Sequence, residues 1–219
     1  MAAPALFQRG RCAGITQATR LGVAYHGCHL PPRVAATPFC AMPTSVLQAQ
    51  PVPAPRGSHI ERRLAGAHFH DAWAMPAARP ELDALGQFLR VARSTPGWIE
   101  AAMALRNRLV GLVGLKNLGG LSQIAADRPA ASYRPGERVG IFTLIENSAD
   151  EALLGDSDKH LDVVLSVHRR AEAADASQVT VTVTTVVHVK NWLGRLYMLP
   201  VKPAHRVIAR CMTSAIGRR

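Results

Sequence analysis

Residues 179–189 read Val-Thr-Val-Thr-Val-Thr-Thr-Val-Val-His-Val. Side chains alternate across a strand with a period of two, so Val179, Val181, Val183, Thr185, Val187 and Val189 share one face. Thr180, Thr182, Thr184, Val186 and His188 share the other. This predicts a long half-buried strand, its valine side on a core and its threonine side toward water or a neighbour.

Working upstream, Leu161, Val163, Leu165 and Val167 alternate in the same way and predict a second strand. Residues 139–146 and 151–155 flank Asn147-Ser148-Ala149-Asp150, a polar turn between apolar runs, which predicts a hairpin. Residues 116–137, rich in Gly, Ala and Pro, read as a long loop. Before it, Leu82, Leu85, Leu89 and Ala92 recur at helical spacing with Phe88 beside them, and Pro80 suits the first position of that helix. Thr95-Pro96 opens a second helix marked by Trp98, Ala102, Leu105, Leu109 and Leu112, ending near Gly114. Residues 68–75 alternate, with Phe69, Asp71, Trp73 and Met75 on one side, and predict a first strand closed by Pro76.

Downstream, residues 191–201 form a dense apolar cluster. A final helix is expected from about Lys202 to Ile216, with Val207, Ile208, Cys211, Met212 and Ile216 inward and Arg206 and Arg210 outward. Strand, two helices, several antiparallel strands and a terminal helix point to an α+β fold. The expected architecture is a curved antiparallel sheet with two short helices after the first strand and a C-terminal helix packed on the sheet. That order is similar to the helix-grip topology of START-like and Bet v 1-like domains, which implies a cavity between sheet and helix.

Charge divides the chain unevenly. Of the formal +11 in 219 residues, five units come from Arg9, Arg11, Arg20, Arg33 and Arg56, because residues 1–60 hold no Asp or Glu. That stretch is also rich in proline and lacks sustained periodicity, so residues 1–58 are expected to be a disordered Arg/Ala/Pro-rich extension and residues 59–219 a single domain. An organelle transit peptide or a secretory signal fits poorly, and a true translation start near Met42 is the favoured reading. Cys211 would then be the only thiol, which suits a reducing cytoplasm. The longest strongly apolar run, residues 109–115, is far short of a membrane span, and no membrane partner is expected.

Candidate chemistry is sparse. Asp158, His160 and Asp162 would share a strand face and could converge on a divalent ion, as could His68 and His70, but polar strand ends facing water are the commoner outcome. Arg106 shares the helical stripe of Ile99, Met103, Val110 and Val113, where a guanidinium could hold an anionic ligand group or a carboxylate such as Asp71, whose strand also presents Trp73. His160, His188 and His205 could supply a base near neutral pH. Tyr197 and Trp192 could line a pocket, with core packing the plainer duty for both. Arg195, Lys202, Arg206, Arg210, Arg218 and Arg219 concentrate near the C-terminus. No nucleic-acid motif accompanies them, and no nucleic-acid partner and no cofactor are expected.

Phe69-His70-Asp71-Ala72-Trp73, Pro96-Gly97-Trp98, Leu105-Arg106-Asn107 and Gly114-Leu115-Lys116 follow one another in an order that resembles the mainly bacterial family called domain of unknown function 2867. Residues 158–162, Thr185-Val186-Val187-His188, Gly194-Arg195-Leu196-Tyr197 and Pro203-Ala204-His205-Arg206 continue the match. The resemblance implies no activity. Some members carry this domain after a nucleotide-binding reductase-like domain, which implies an oxidoreductase partner as one possibility, although this chain has no Gly-x-Gly-x-x-Gly.

Three functions therefore compete. The first is a binding module whose cavity holds a small amphipathic ligand, its polar end met by Asp71, Trp73, Arg106 or Tyr197. The second is an enzyme using the same cavity for proton-transfer or cyclase-like chemistry, with His160 or His205 as base and Arg106 as stabiliser. The third is an interaction partner of a separate oxidoreductase. Two titratable groups in hydrogen-bond reach would favour the second, and an exposed apolar patch would favour the third.

Overall fold

The computed structural model describes residues 48–111, 119–172, 175 and 177–218. The expectations for residues 1–47, and for Leu112 and Gly114 at the end of the second helix, lie outside the described residues. The strands are β1 (Gln50–Pro51), β2 (Phe69–Pro76), β3 (Arg138–Val139), β4 (Phe142–Asn147), β5 (Glu151–Ser157), β6 (Leu161–Ala171) and β7 (Val179–Val189). They form one curved, unclosed sheet in the order β1-β2-β7-β6-β5-β4-β3, every neighbouring pair antiparallel. The helices are α1 (Ala84–Arg93), α2 (Gly97–Gly111) and α3 (Trp192–Ile216), and α3 packs on the sheet. The expected α+β class holds, as do the antiparallel sheet and the C-terminal helix packed on it.

The valine face of β7 behaves as its alternation predicts. Val179 and Val181 join Met75, Leu85, Leu89 and Leu154 in the main core, closed by Ile216 of α3. Val187 packs with Phe69 and Met198 in a second cluster under the middle of α3. The threonine face does not meet water along its middle: Thr184 and Val186 are fully buried. A short 3-10 helix, His59–Arg63, covers them, with Ile60 against Leu153, Val164 and Val186. Glu151 fastens it, accepting hydrogen bonds from the backbone N–H of His59 (2.6 Å) and Ile60 (3.2 Å) and from the Ser166 hydroxyl (2.7 Å). Ahead of it, β1 pairs Gln50 with Ala74 and Pro51 with Trp73, so the stretch drawn as an extension to residue 58 includes an edge strand. The free edge of β2 supplies its order, not any apolar periodicity of its own.

Three helix expectations change. Helix α1 begins at Ala84, not Pro80, because the Asp83 carboxylate accepts from the Gly86 N–H at 2.6 Å and outcompetes proline as a start. Helix α2 exposes the stripe expected to be inward: Trp98, Leu105 and Leu109 are 49%, 59% and 56% exposed. Among its described side chains only Ile99 is fully buried, with Met103 and Arg106 half-buried beside it. The helix carries two apolar stripes, and the larger residues fell on the outer one.

Helix α3 starts ten residues earlier than expected, at Trp192, where Asn191 caps the Gly194 N–H at 3.1 Å. Pro200 and Pro203 lie inside it, both exposed, so the carbonyls they leave without a helical donor face water. Val207, expected inward, is 60% exposed, while Ile216 is buried and Ile208 and Met212 are half-buried.

Candidate functional site

On the face of β2 beneath α3, Phe69, Asp71, Trp73 and Met75 follow one another. Phe69 belongs to the cluster with Val187 and Met198, and Trp73 packs against the main core. Asp71 stands between them with a side chain only 13% exposed. An ionised carboxylate there needs donors, and it has two. His205 of α3 brings Nε2 to 3.1 Å from Oδ1, and the Trp73 indole Nε1 donates to Oδ2 at 3.3 Å. Directly across from Asp71 on β7 is the buried Thr185, the single residue that breaks the valine side of that strand.

Phe69 organises the surroundings. The His205 ring meets it edge-on, with centroids 5.6 Å apart and planes at 88°. Lys202 and Arg206 place their cations 5.9 and 5.8 Å from its centroid. Three basic side chains from one stretch of α3 therefore gather around a ring adjacent to the Asp71 carboxylate.

A second polar group borders the same cluster. Arg106 Nε donates to the Tyr197 hydroxyl at 3.1 Å, with the guanidinium 5.6 Å from the ring centroid. Its Nη1 donates to Asn107 Oδ1 at 2.9 Å, and Asn107 Nδ2 donates to the Gly119 carbonyl at 3.0 Å. Tyr197 packs beside Phe69 and Met198, eight residues before His205 on α3, or about 12 Å along the helix. The site residues named from sequence thus form two sets: Asp71, Trp73 and His205 in one, Arg106 and Tyr197 in the other.

Asp158, His160 and Asp162 do not converge. Strand β6 begins at Leu161, so Asp158 and His160 lie in the preceding turn, not on a strand face. Asp158 Oδ1 accepts from the N–H of His160 (2.6 Å) and Leu161 (2.9 Å), and the His160 ring meets Asn191 Nδ2 at 2.9 Å. Asp162 pairs with Lys190 at 2.6 Å. Among the described residues no group of three or more His, Cys, Asp or Glu side chains is placed to hold a metal ion. His68 accepts from the Val189 N–H at 3.1 Å and His188 Nε2 lies 2.9 Å from the Arg63 carbonyl, both structural duties.

Sequence reasoning named Asp71 and His205 separately and did not join them across their separation of 134 residues. Thr185 was the available signal, a polar residue on an otherwise all-valine face.

A protein-family model described as "Protein of unknown function (DUF2867)" matches residues 63–212. No curated protein and no solved structure matches the chain.

Proposed function

For a chain that belongs to the DUF2867 family, we propose that α3 and the sheet face beneath it bind a small amphipathic ligand. The observation that carries this reading is the Asp71–His205–Trp73 set, a hydrogen-bonded polar group between the apolar cluster of Phe69, Val187 and Met198 and the main core. Ligand sites pair an apolar lining with a few convergent polar groups that fix orientation. Here Phe69 and Tyr197 supply the first, and His205, Trp73 and Arg106 the second. Entry is favoured past α2, which buries only Ile99 among its described side chains and so can move at small energetic cost. Cys211 is the one cysteine among the described residues, in keeping with a cytoplasmic setting.

The test is native mass spectrometry of the full chain purified without added ligand, followed by extraction of whatever is bound. A reproducible small molecule that is lost in Arg106→Ala and in His205→Ala is the expected result. A ligand-free mass for the wild-type chain, with no uptake of a medium-chain fatty acid, contradicts the reading.

The 3.1 Å contact between His205 and Asp71 favours a second reading, proton transfer at a bound ligand. A carboxylate on one imidazole nitrogen fixes the tautomer and leaves the other to take a proton. Solvent deuterium entering the extracted ligand at carbon, and stopping in His205→Gln while the ligand still binds, would support it. Binding without exchange leaves the module reading alone.

A further inference from the structure

The outer line of α3 carries Trp192, Leu196, Leu199 and Val207, which are 74%, 54%, 69% and 60% exposed. Their spacing keeps them on one side of a helix with 3.6 residues per turn, and exposed Pro203 continues the line. Exposed Arg195 lies three residues from Trp192 and four from Leu199, and exposed Arg206 and Arg210 flank Val207. Between Lys190 and Arg219 the chain has seven Lys and Arg and no Asp or Glu.

That combination narrows the occupant. A second copy of the helix across a two-fold axis would set arginine against arginine with no carboxylate between them. Nucleic acid would meet the arginines and leave the leucines without a partner. Negative charge lying just above apolar material is the chemistry of an anionic lipid bilayer, where tryptophan settles at head-group level and basic side chains meet phosphates.

We propose that α3 is a surface-binding helix that lies in the plane of anionic membranes, with Trp192, Leu196 and Leu199 dipped among the acyl chains. It lies on the bilayer and does not cross it, since no described helix is long and apolar enough to span a membrane. The expectation of no membrane partner rested on the lack of a spanning segment, which a surface helix does not need. This inference does not rest on the ligand site, since Trp192, Leu196, Leu199 and Val207 are exposed while His205 is half-buried against Asp71.

The experiment is co-sedimentation of the full chain with vesicles of phosphatidylcholine alone and of equal parts phosphatidylcholine and phosphatidylglycerol. Sedimentation with the anionic vesicles only is expected, reversed by high salt, with a blue shift in tryptophan emission that Trp192→Phe removes. Arg195→Ala combined with Arg210→Ala should lower partitioning by about thirtyfold. Leu196→Ser combined with Leu199→Ser, which alters exposed side chains and no charge, should lower it by about tenfold. Circular dichroism confirms that each variant is folded. Equal sedimentation with both vesicle types, sedimentation with neither, or partitioning indifferent to the leucine changes overturns the proposal. A dimer that the leucine variant dissolves, without vesicle binding, reassigns the strip to a second copy.

Discussion

Thr185 interrupts the valine side of β7 where Asp71 stands opposite on β2, and the polar pair marks where the sheet departs from pure packing. Removing the carboxylate leaves the Trp73 and His205 N–H groups without their acceptor in a largely dry interface. Asp71→Ala should therefore destabilise the domain by about 1–3 kcal/mol, read as a lower urea midpoint with unchanged slope. Glu151 is the stronger case, since one buried carboxylate takes three donors. Glu151→Ala should cost about 3 kcal/mol by the same measurement. Asp162 supplies the pH dependence. Burial works against its ionisation, but hydrogen bonds from Lys190 and Ser157 outweigh it and hold its pKa below the ordinary value. A lowered folded pKa means stability that is complete above the unfolded pKa and lost as pH falls through the folded one. Asp162→Asn should lower stability near neutrality, where the Lys190 and Ser157 bonds are complete, leave it unchanged at low pH, and so flatten the acid limb of the profile. At this scale the sequence named most of the relevant side chains and mispaired them, because alternation tells which face a residue takes but not what a distant helix brings to it.

Among the elements, the helices tested the reading hardest. Strands β2, β6 and β7 were legible from alternation and β4 and β5 from the apolar runs beside the turn at residues 147–150, which closes as its polar composition predicts, with the Ser148 hydroxyl donating to the Glu151 carbonyl and accepting from its N–H, each at 2.9 Å. The start of α3 was hidden because residues 191–201 read as an apolar cluster without a helical stripe, while the decisive residues were Asn191 and Gly194. Asn191 caps the helix and donates from Nδ2 to the Lys159 carbonyl at 3.0 Å, tying it to the β5–β6 turn. Gly194 is needed for that approach: a Cβ there would lie 2.4 Å from the His160 carbonyl oxygen and 2.8 Å from Val189 Cγ1. Since the His160 carbonyl is held in place by the Lys190 N–H at 2.8 Å, Gly194→Ala should push out the first turn of α3 and destabilise by about 1–3 kcal/mol, measurable by thermal unfolding. At the other end, Arg90 donates to the carbonyls of Ile216 (2.6 Å) and Arg218 (2.7 Å), satisfying acceptors that a helix C-terminus leaves open. No spacing rule in the sequence links residue 90 to residue 216.

For the molecule as a whole, the sheet is covered on both sides, and only one cover was foreseen. Helix α3 spans one face; residues 48–63 begin on that side, where buried Ala49 donates from its N–H to Ser214 Oγ of α3 at 2.9 Å, and cover the other face through Ile60. A chain shortened to begin at Leu64 should uncover Val164, Thr184 and Val186 and bind a hydrophobic dye, whereas a chain beginning at Thr44 keeps the strap. The strap was illegible because it is proline-rich and aperiodic, and its order comes from edges and faces that only the assembled sheet provides. A ligand whose polar end meets Trp73 and His205 beneath α3 has a direct reporter in the three tryptophans, since Trp73 is at the site and Trp98 and Trp192 are exposed. The measurement is a nitrogen–proton correlation spectrum of the indole groups during titration with the extracted ligand, or with a medium-chain fatty acid below its micelle concentration. The Trp73 indole is expected to move saturably, Trp98 and Trp192 to stay in place, and His205→Ala to abolish the shift; movement of Trp98 or Trp192 with Trp73 unchanged would put the ligand elsewhere.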